Sequence, residues 1–242
     1  MARGLPDYGQ NTQQYAIAGM GDLGEAVARL DSINVFDRRG FTIWQDDFES
    51  PVIRWSQWNG NGGLAPIVSS AYFYSGVQSA LLQCGAQVDS YSQLSRNFSL
   101  IRRGKIGAEI WVQRQIINPA FFSLVVRLLD GTNFTRADLR YYPTNGTIWI
   151  DTPLGLVQVA TAITMYNATQ YFLPIKLVVD MDTDRYTRLI VGPQEIDLSA
   201  HELVQVGATA LKTVIVYLSL YGVVGGATSL YLDNFILTQN EP

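Results

Sequence analysis

The chain has 242 residues, a formal net charge of −4, 48% hydrophobic residues and only 16% charged ones. That is apolar material for a sizeable core, which excludes a chain disordered throughout, and the acidic balance excludes a binder that neutralises nucleic-acid phosphates. Its three lysines supply no polybasic membrane patch, and no apolar run reaches the ~18 residues that a membrane-spanning helix needs.

Met1 to Pro6 carries no apolar leader core, so the expectation is a protein made and kept in a cytoplasm. Residues 1–18 mix Gly, Pro, Gln and Asn without a period, which reads as an arm ordered by docking on a neighbour. Asp22 and Glu25 form a capping-box pattern, and Leu23, Val27 and Leu30 share one face, so a short helix is expected over 23–30. Gly19, Gly21 and Gly24 make a nominal G-x-G-x-x-G, with Asp37 downstream. Two helical turns are too short for a parallel crossover and no second βα unit follows, so a dinucleotide site is set aside. Apolar runs at 33–36 and 41–44 flank Asp37-Arg38-Arg39-Gly40 and read as a hairpin. The expected division is an arm with one helix and a hairpin over 1–44, and a β body over 45–242.

From Asp46 onward, strands are expected at 71–74, 79–83, 91–100, 106–113, 121–128, 136–142, 147–150, 157–162, 173–180, 185–191, 212–221 and 229–238. Asp130-Gly131 and Asn145-Gly146 are strong hairpin signals between them. Leu173, Ile175, Leu177 and Val179 alternate with Lys176 on the opposite face. Many strands joined by short turns make an all-β sandwich or barrel.

Asp47-Phe48-Glu49 followed by Trp58 resembles the opening strand of concanavalin-like and carbohydrate-binding-module jelly rolls. Gly76-Val77-Gln78-Ser79-Ala80-Leu81 is similar to their second strand. Ile175 to Asp180 with Tyr186 to Leu189 resembles a late hairpin of laminin-G-like sandwiches, and Leu230-Tyr231-Leu232-Asp233-Asn234-Phe235 resembles the closing strand. The resemblance covers 46–238 and implies an antiparallel jelly-roll β-sandwich in which first and last strands pair. It also implies a place for a structural calcium, with Asp47, Glu49 and Asp233 as oxygen ligands; the alternative is that Asp233-Asn234 hydrogen-bonds to a bulge or turn. No other cofactor is expected. An arm ahead of a jelly roll resembles tailed-phage head-decoration and other virion accessory proteins. That layout implies localisation in a virion, self-association, and a major capsid or tail protein as partner.

Catalytic chemistry is expected to be absent. His201 is the single histidine, so neither a two-histidine zinc site nor a Ser/His/Asp set forms. Asp180, Asp182 and Asp184 read as a polar hairpin turn, since the Gly and distal Glu of a calcium loop are missing. Glu109 has Gln113 where a second acid would share its face, against a glycosidase pair. Cys84, the one cysteine, reads as a small buried hydrophobe. Tyr141 and Tyr142 beside Pro143 and Asn145-Gly146 are the best candidates for glycan contact, because adjacent strand residues face opposite ways and one must point outward. The leading expectation is a non-enzymatic virion protein; the alternative is a carbohydrate-binding module or lectin.

Overall fold

The computed structural model describes residues 36–37, 39–99, 104–114, 121–165 and 171–242. The expected helix at 23–30 and most of the arm lie outside them. The described part is all-β, with sixteen strands. They are β1 (Phe41–Asp46), β2 (Ser56–Gly60), β3 (Leu64–Ser69), β4 (Ser79–Cys84), β5 (Tyr91–Ser99), β6 (Lys105–Arg114), β7 (Phe121–Asp130) and β8 (Asn133–Tyr142). Then come β9 (Thr147–Thr152), β10 (Gly155–Ala160), β11 (Leu173–Asp180), β12 (Arg185–Val191), β13 (Gln194–Asp197), β14 (Val204–Ala208), β15 (Lys212–Tyr221) and β16 (Thr228–Gln239).

Two eight-stranded antiparallel sheets face each other in a jelly-roll sandwich. The first runs β13-β12-β11-β6-β16-β4-β3, with β1 also paired to β16; the second runs β10-β9-β8-β7-β15-β5-β2, with β14 paired to β8. Period-two alternation builds the core. Val214, Val216, Leu218 and Leu220 of β15 point inward beside Phe122, Leu124, Val126 and Leu128 of β7. From the other sheet, Ile106, Ala108, Ile110 and Val112 meet them with Ile175, Leu177 and Val179. Aromatic rings plug one end, where Trp55 lies edge-on to Phe235 at 4.9 Å and Trp44 sits 5.5 Å from Trp55.

Some expectations are corrected. The described partner of β1 is β16, with Phe41 opposite Gln239 and Asp46 opposite Phe235, so β1 belongs to the body and the 44/45 division falls inside it. Residues 71–74 are bends and not a strand. The Tyr74 and Ser75 N–H groups donate to the Asp233 carboxylate, and a backbone spent that way cannot join a ladder. Strands β2, β3, β13 and β14 were not expected. Both β2 and β3 are edge strands, and Pro66 in β3 is tolerated because an edge leaves one row of N–H groups unpaired.

Candidate functional site

The resemblance motifs around Asp47-Phe48-Glu49, Gly76 and Asp233-Asn234 converge on one corner. The Asp233 Oδ2 accepts the N–H groups of Tyr74 (2.7 Å) and Ser75 (3.1 Å), and its Oδ1 accepts that of Asn234 at 2.8 Å. The Glu49 Oε1 accepts the Val77 and Gln78 N–H groups at 2.9 and 3.0 Å. A Cβ on Gly76, where φ is +68°, would stand 2.1 Å from that oxygen, so only glycine allows the cap. The Asp47 Oδ1 accepts the Glu49 N–H. Phe48 and Asn234 both hold left-handed backbone, φ 56° and 48°. Burial raises Asp233 to about 7, opposed by its three N–H donors and reinforced by the nearby charge of Glu49. Asp47 and Glu49 line a cavity of about 400 Å³ beside Asn234. Among the described residues no three His, Cys, Asp or Glu side chains group as a metal site. Asp46, Asp47 and Glu49 share the cavity lining, while Asp233 has already committed both oxygens to N–H donors.

A larger surface lies on the outer face of the second sheet. One register line crosses every strand of its main path: Trp58, Gln93, Ser219, Ser123, Arg140, Trp149 and Gln158 stand opposite one another in turn. Alongside runs an aromatic line. The rings of Tyr91 and Tyr221 are 6.3 Å apart, those of Tyr221 and Phe121 stack at 4.6 Å, and Phe121 lies 5.3 Å from Tyr142. Gln93 and Arg140 of the first line, with Phe121 and Tyr221 of the second, surround a cavity of about 450 Å³ floored by Ser123, Asp138 and Ser219. Trp58 and Tyr91 continue it toward the sheet edge, and Trp58 is 56% exposed.

The polar groups of this face are held in place. The Ser123 hydroxyl donates to Asp138 Oδ1 at 2.8 Å, and Arg140 donates from Nε and Nη2 to Asp138 Oδ2 at 3.1 and 2.9 Å. Burial alone would lower Arg140, but the charge and hydrogen bonds of Asp138 raise it. Burial, then the charge of Asp138, raises Tyr221. Ser219 donates to Gln93 Oε1 at 2.9 Å, and the Trp58 indole donates to Ser95 Oγ at 3.1 Å. From the opposite sheet, the buried Tyr186 crosses the core. Its hydroxyl donates to the Asp151 carbonyl at 2.7 Å and accepts the Asp138 N–H at 3.0 Å, which fixes the floor of the cavity from beneath.

The sequence candidates fall on different sides. Tyr142 stands on this outer face. Tyr141 has no exposed surface, its hydroxyl donates to the Ile163 carbonyl at 3.0 Å, and burial pushes it up to about 12, so it is withdrawn as a glycan contact. Glu109 is buried on the outer side of the first sheet, 4.0 Å from Lys176. Cys84 is buried, and its thiol is pushed up to about 11 by burial. The second-sheet residues Arg127, Arg136, Asp138, Arg140 and Tyr221 were missed. For Arg136, Asp138 and Arg140 the signal was present in the alternation Arg136-Ala137-Asp138-Leu139-Arg140, where every second residue is charged.

No protein-family model and no curated protein sequence matches the chain. Solved structures do. An endo-β-1,4-glucuronan lyase from the fungus Trichoderma reesei superposes with TM-score 0.54 at 10% identity, covering 82% of this chain and 96% of that one. A protein of unknown function with a galectin-like fold from Bacillus subtilis superposes with TM-score 0.53 at 12% identity, covering 83% and 97%. The cellulose-induced protein Cip1 gives 0.47 at 13% identity, covering 81% and 96%. The chain thus has a galectin- and concanavalin-like jelly-roll fold. The expectation that it is not an enzyme is corrected: a lyase stands on this same sandwich, so the fold supplies no ground for excluding catalysis.

Proposed function

We propose that this chain binds a carbohydrate polymer across the outer face of its second sheet. The observation that carries the reading is the pair of parallel lines there, one of hydrogen-bonding groups and one of aromatic rings, laid at right angles to the strands. Sugars need both: apolar ring faces stack on aromatics, and hydroxyls pair with fixed polar groups. From β2 to β10 there are six strand spacings of about 4.8 Å, so the face runs roughly 29 Å and accepts several sugar units of an internal chain segment. Supporting this are the solved structures that share the fold, among them one named as a glucuronan lyase. They favour the carbohydrate reading over the virion reading.

The test is affinity electrophoresis in gels cast with soluble polysaccharides. Tyr221→Ala should weaken retardation at least several-fold while leaving thermal melting within a few degrees of wild type. Equal retardation of wild type and variant would remove the reading.

A structural calcium at the corner, with Asp47, Glu49 and Asp233 as ligands, is a second proposal, taken from the resemblance and supported by the charge of Glu49 acting on Asp233. Calcium should raise the melting temperature of the wild type and leave Asp233→Ala unmoved; a wild type indifferent to both calcium and chelator would sink it.

A further inference from the structure

We infer that the polymer held on this face is anionic and that Arg127 reads its charge, an inference that rests on the glycan-binding reading above. Three guanidinium groups line the cavity, those of Arg127, Arg136 and Arg140. Two are neutralised by the protein itself: Arg140 forks Asp138, and Arg136 pairs with Asp151. Arg127 has no carboxylate partner among the described residues. Its one hydrogen bond runs from Nη1 to the Tyr217 hydroxyl oxygen at 2.9 Å. The group lies 4.3 Å above the Tyr217 ring and 5.5 Å from that of Phe134, and its Nε is buried with no acceptor.

Its neighbours across the sheet sharpen the imbalance. Opposite Arg127 on β8 stands Arg136, and opposite it on β15 stands Ile215. Like charges facing each other across a strand pair are unfavourable, and an apolar side chain offers no relief. Asp151 answers Arg136 only. The remaining acid of the cavity, Asp89, sits on the turn before β5, beyond the aromatic line and away from Arg127. The aromatic packing orients the guanidinium and Tyr217 fixes one nitrogen, so a cation is held ready and left without its anion.

An arginine fork fits planar or tetrahedral oxyanions, giving charge-assisted hydrogen bonds of about twice the usual strength. The shared chemistry is an oxyanion on a sugar, either the carboxylate of a uronic acid or a sulfate ester. A neutral polymer would use the aromatic and polar lines and leave Arg127 unanswered. The Tyr217 hydroxyl can still donate its own proton to the same oxyanion, since Arg127 occupies it only as an acceptor.

The experiment is affinity electrophoresis of the full chain in a polyuronate, a sulfated galactan and a neutral β-glucan, with Arg127→Gln, Arg127→Lys and Tyr221→Ala, each checked by melting. The wild type should bind one anionic polymer most tightly, and which one tells carboxylate from sulfate. Arg127→Gln should lose about 10- to 100-fold on that polymer, the equivalent of one charged hydrogen bond, and nothing on the neutral one. Arg127→Lys, which keeps the charge without the fork, should fall between them and decides the matter if Arg127→Gln does not fold. If Tyr221→Ala weakens binding while the Arg127 variants match wild type, or if the neutral polymer binds best, the charge inference is overturned and the glycan reading stands. If the wild type passes all three gels freely, or Tyr221→Ala has no effect, the reading falls and the inference with it.

Discussion

The outer faces of the two sheets follow the same alternation and end in opposite states. On the first sheet the outward residues are covered by the chain itself. Lys176 is fully buried, with its ammonium 2.8 Å from Asp37, 2.7 Å from Glu241 and 4.0 Å from Glu109. Arg188 pairs with Glu241 and donates to the Pro242 carbonyl, while Arg39 forks Glu195 at 2.9 and 3.0 Å. Asp37, Arg39, Gly40 and residues 238–242 thereby close over β6, β11 and β12. Gly107 makes room for this, since a Cβ there would stand 2.5 Å from Thr238 Oγ1 and 2.9 Å from the Lys176 chain. On the second sheet nothing described covers the centre, and Arg127 there has no acid among the described residues. A buried ion-pair network closed by the chain itself contributes to stability; a face with an unanswered arginine and aligned aromatics is available to a ligand.

Lys176→Met should separate the two most sharply. It strands Asp37, Glu109 and Glu241 in a buried site, and breaking such a network costs about 3–5 kcal/mol. Urea unfolding should report that loss with polysaccharide binding unchanged in whatever remains folded; a change below about 1 kcal/mol would break the contrast. Next in size is Tyr186→Phe, which leaves the buried Asp138 N–H and Asp151 carbonyl without their shared hydroxyl. About 1–3 kcal/mol of stability should go. Binding should weaken as well, because the cavity floor loosens, and a variant that loses stability with intact affinity would confine Tyr186 to the core. Trp58→Ala is the reverse case. As an edge residue more than half exposed, it should alter stability by no more than about 0.5 kcal/mol and reduce affinity several-fold in the same gels. Smallest is the pH effect of Asp37. Burial alone would raise this carboxyl, but hydrogen bonds from Lys176 and Arg39 hold it below its ordinary value of 3.8. Its folded value is depressed, so its contribution is complete above about pH 4 and fades as pH falls through the folded value. Melting curves between pH 5 and 2 should show a shallower decline in Asp37→Asn than in wild type.

Much of the fold was legible because it is written in period two and in turn chemistry. The strands at 173–180, 185–191 and 212–221 have the expected limits. The Gly131 and Gly146 turns take the positive φ that Asp-Gly and Asn-Gly imply. Part of the corner was legible too, as Glu49 and Asp233 each accept N–H groups of the 74–78 loop around Gly76. What escaped were short polar edge strands such as β13 and β14, whose residues look like loop because they are half solvated. The hairpin expected over 33–44 lies partly outside the described residues, and the described partner of β1, nearly 200 positions away, is of a kind that local turn chemistry does not announce. The binding face was hidden for a different cause. Arg127, Asp138, Tyr217 and Tyr221 come from three strands, and only the order β8-β7-β15 brings them side by side.

That order has a counterpart in β16, whose twelve residues are all buried. It pairs with β6 along one side and is shared by β4 and β1 along the other, before and after the bend at Asp233-Asn234. Three strands made early by the ribosome therefore wait for the same late partner. Until Thr228 to Gln239 has emerged, β1, β4 and β6 each keep an open hydrogen-bonding edge. During synthesis the nascent chain stays exposed to mispairing at these edges until β16 has been made. A stop codon placed before residue 228 should yield an insoluble product and not a smaller sandwich.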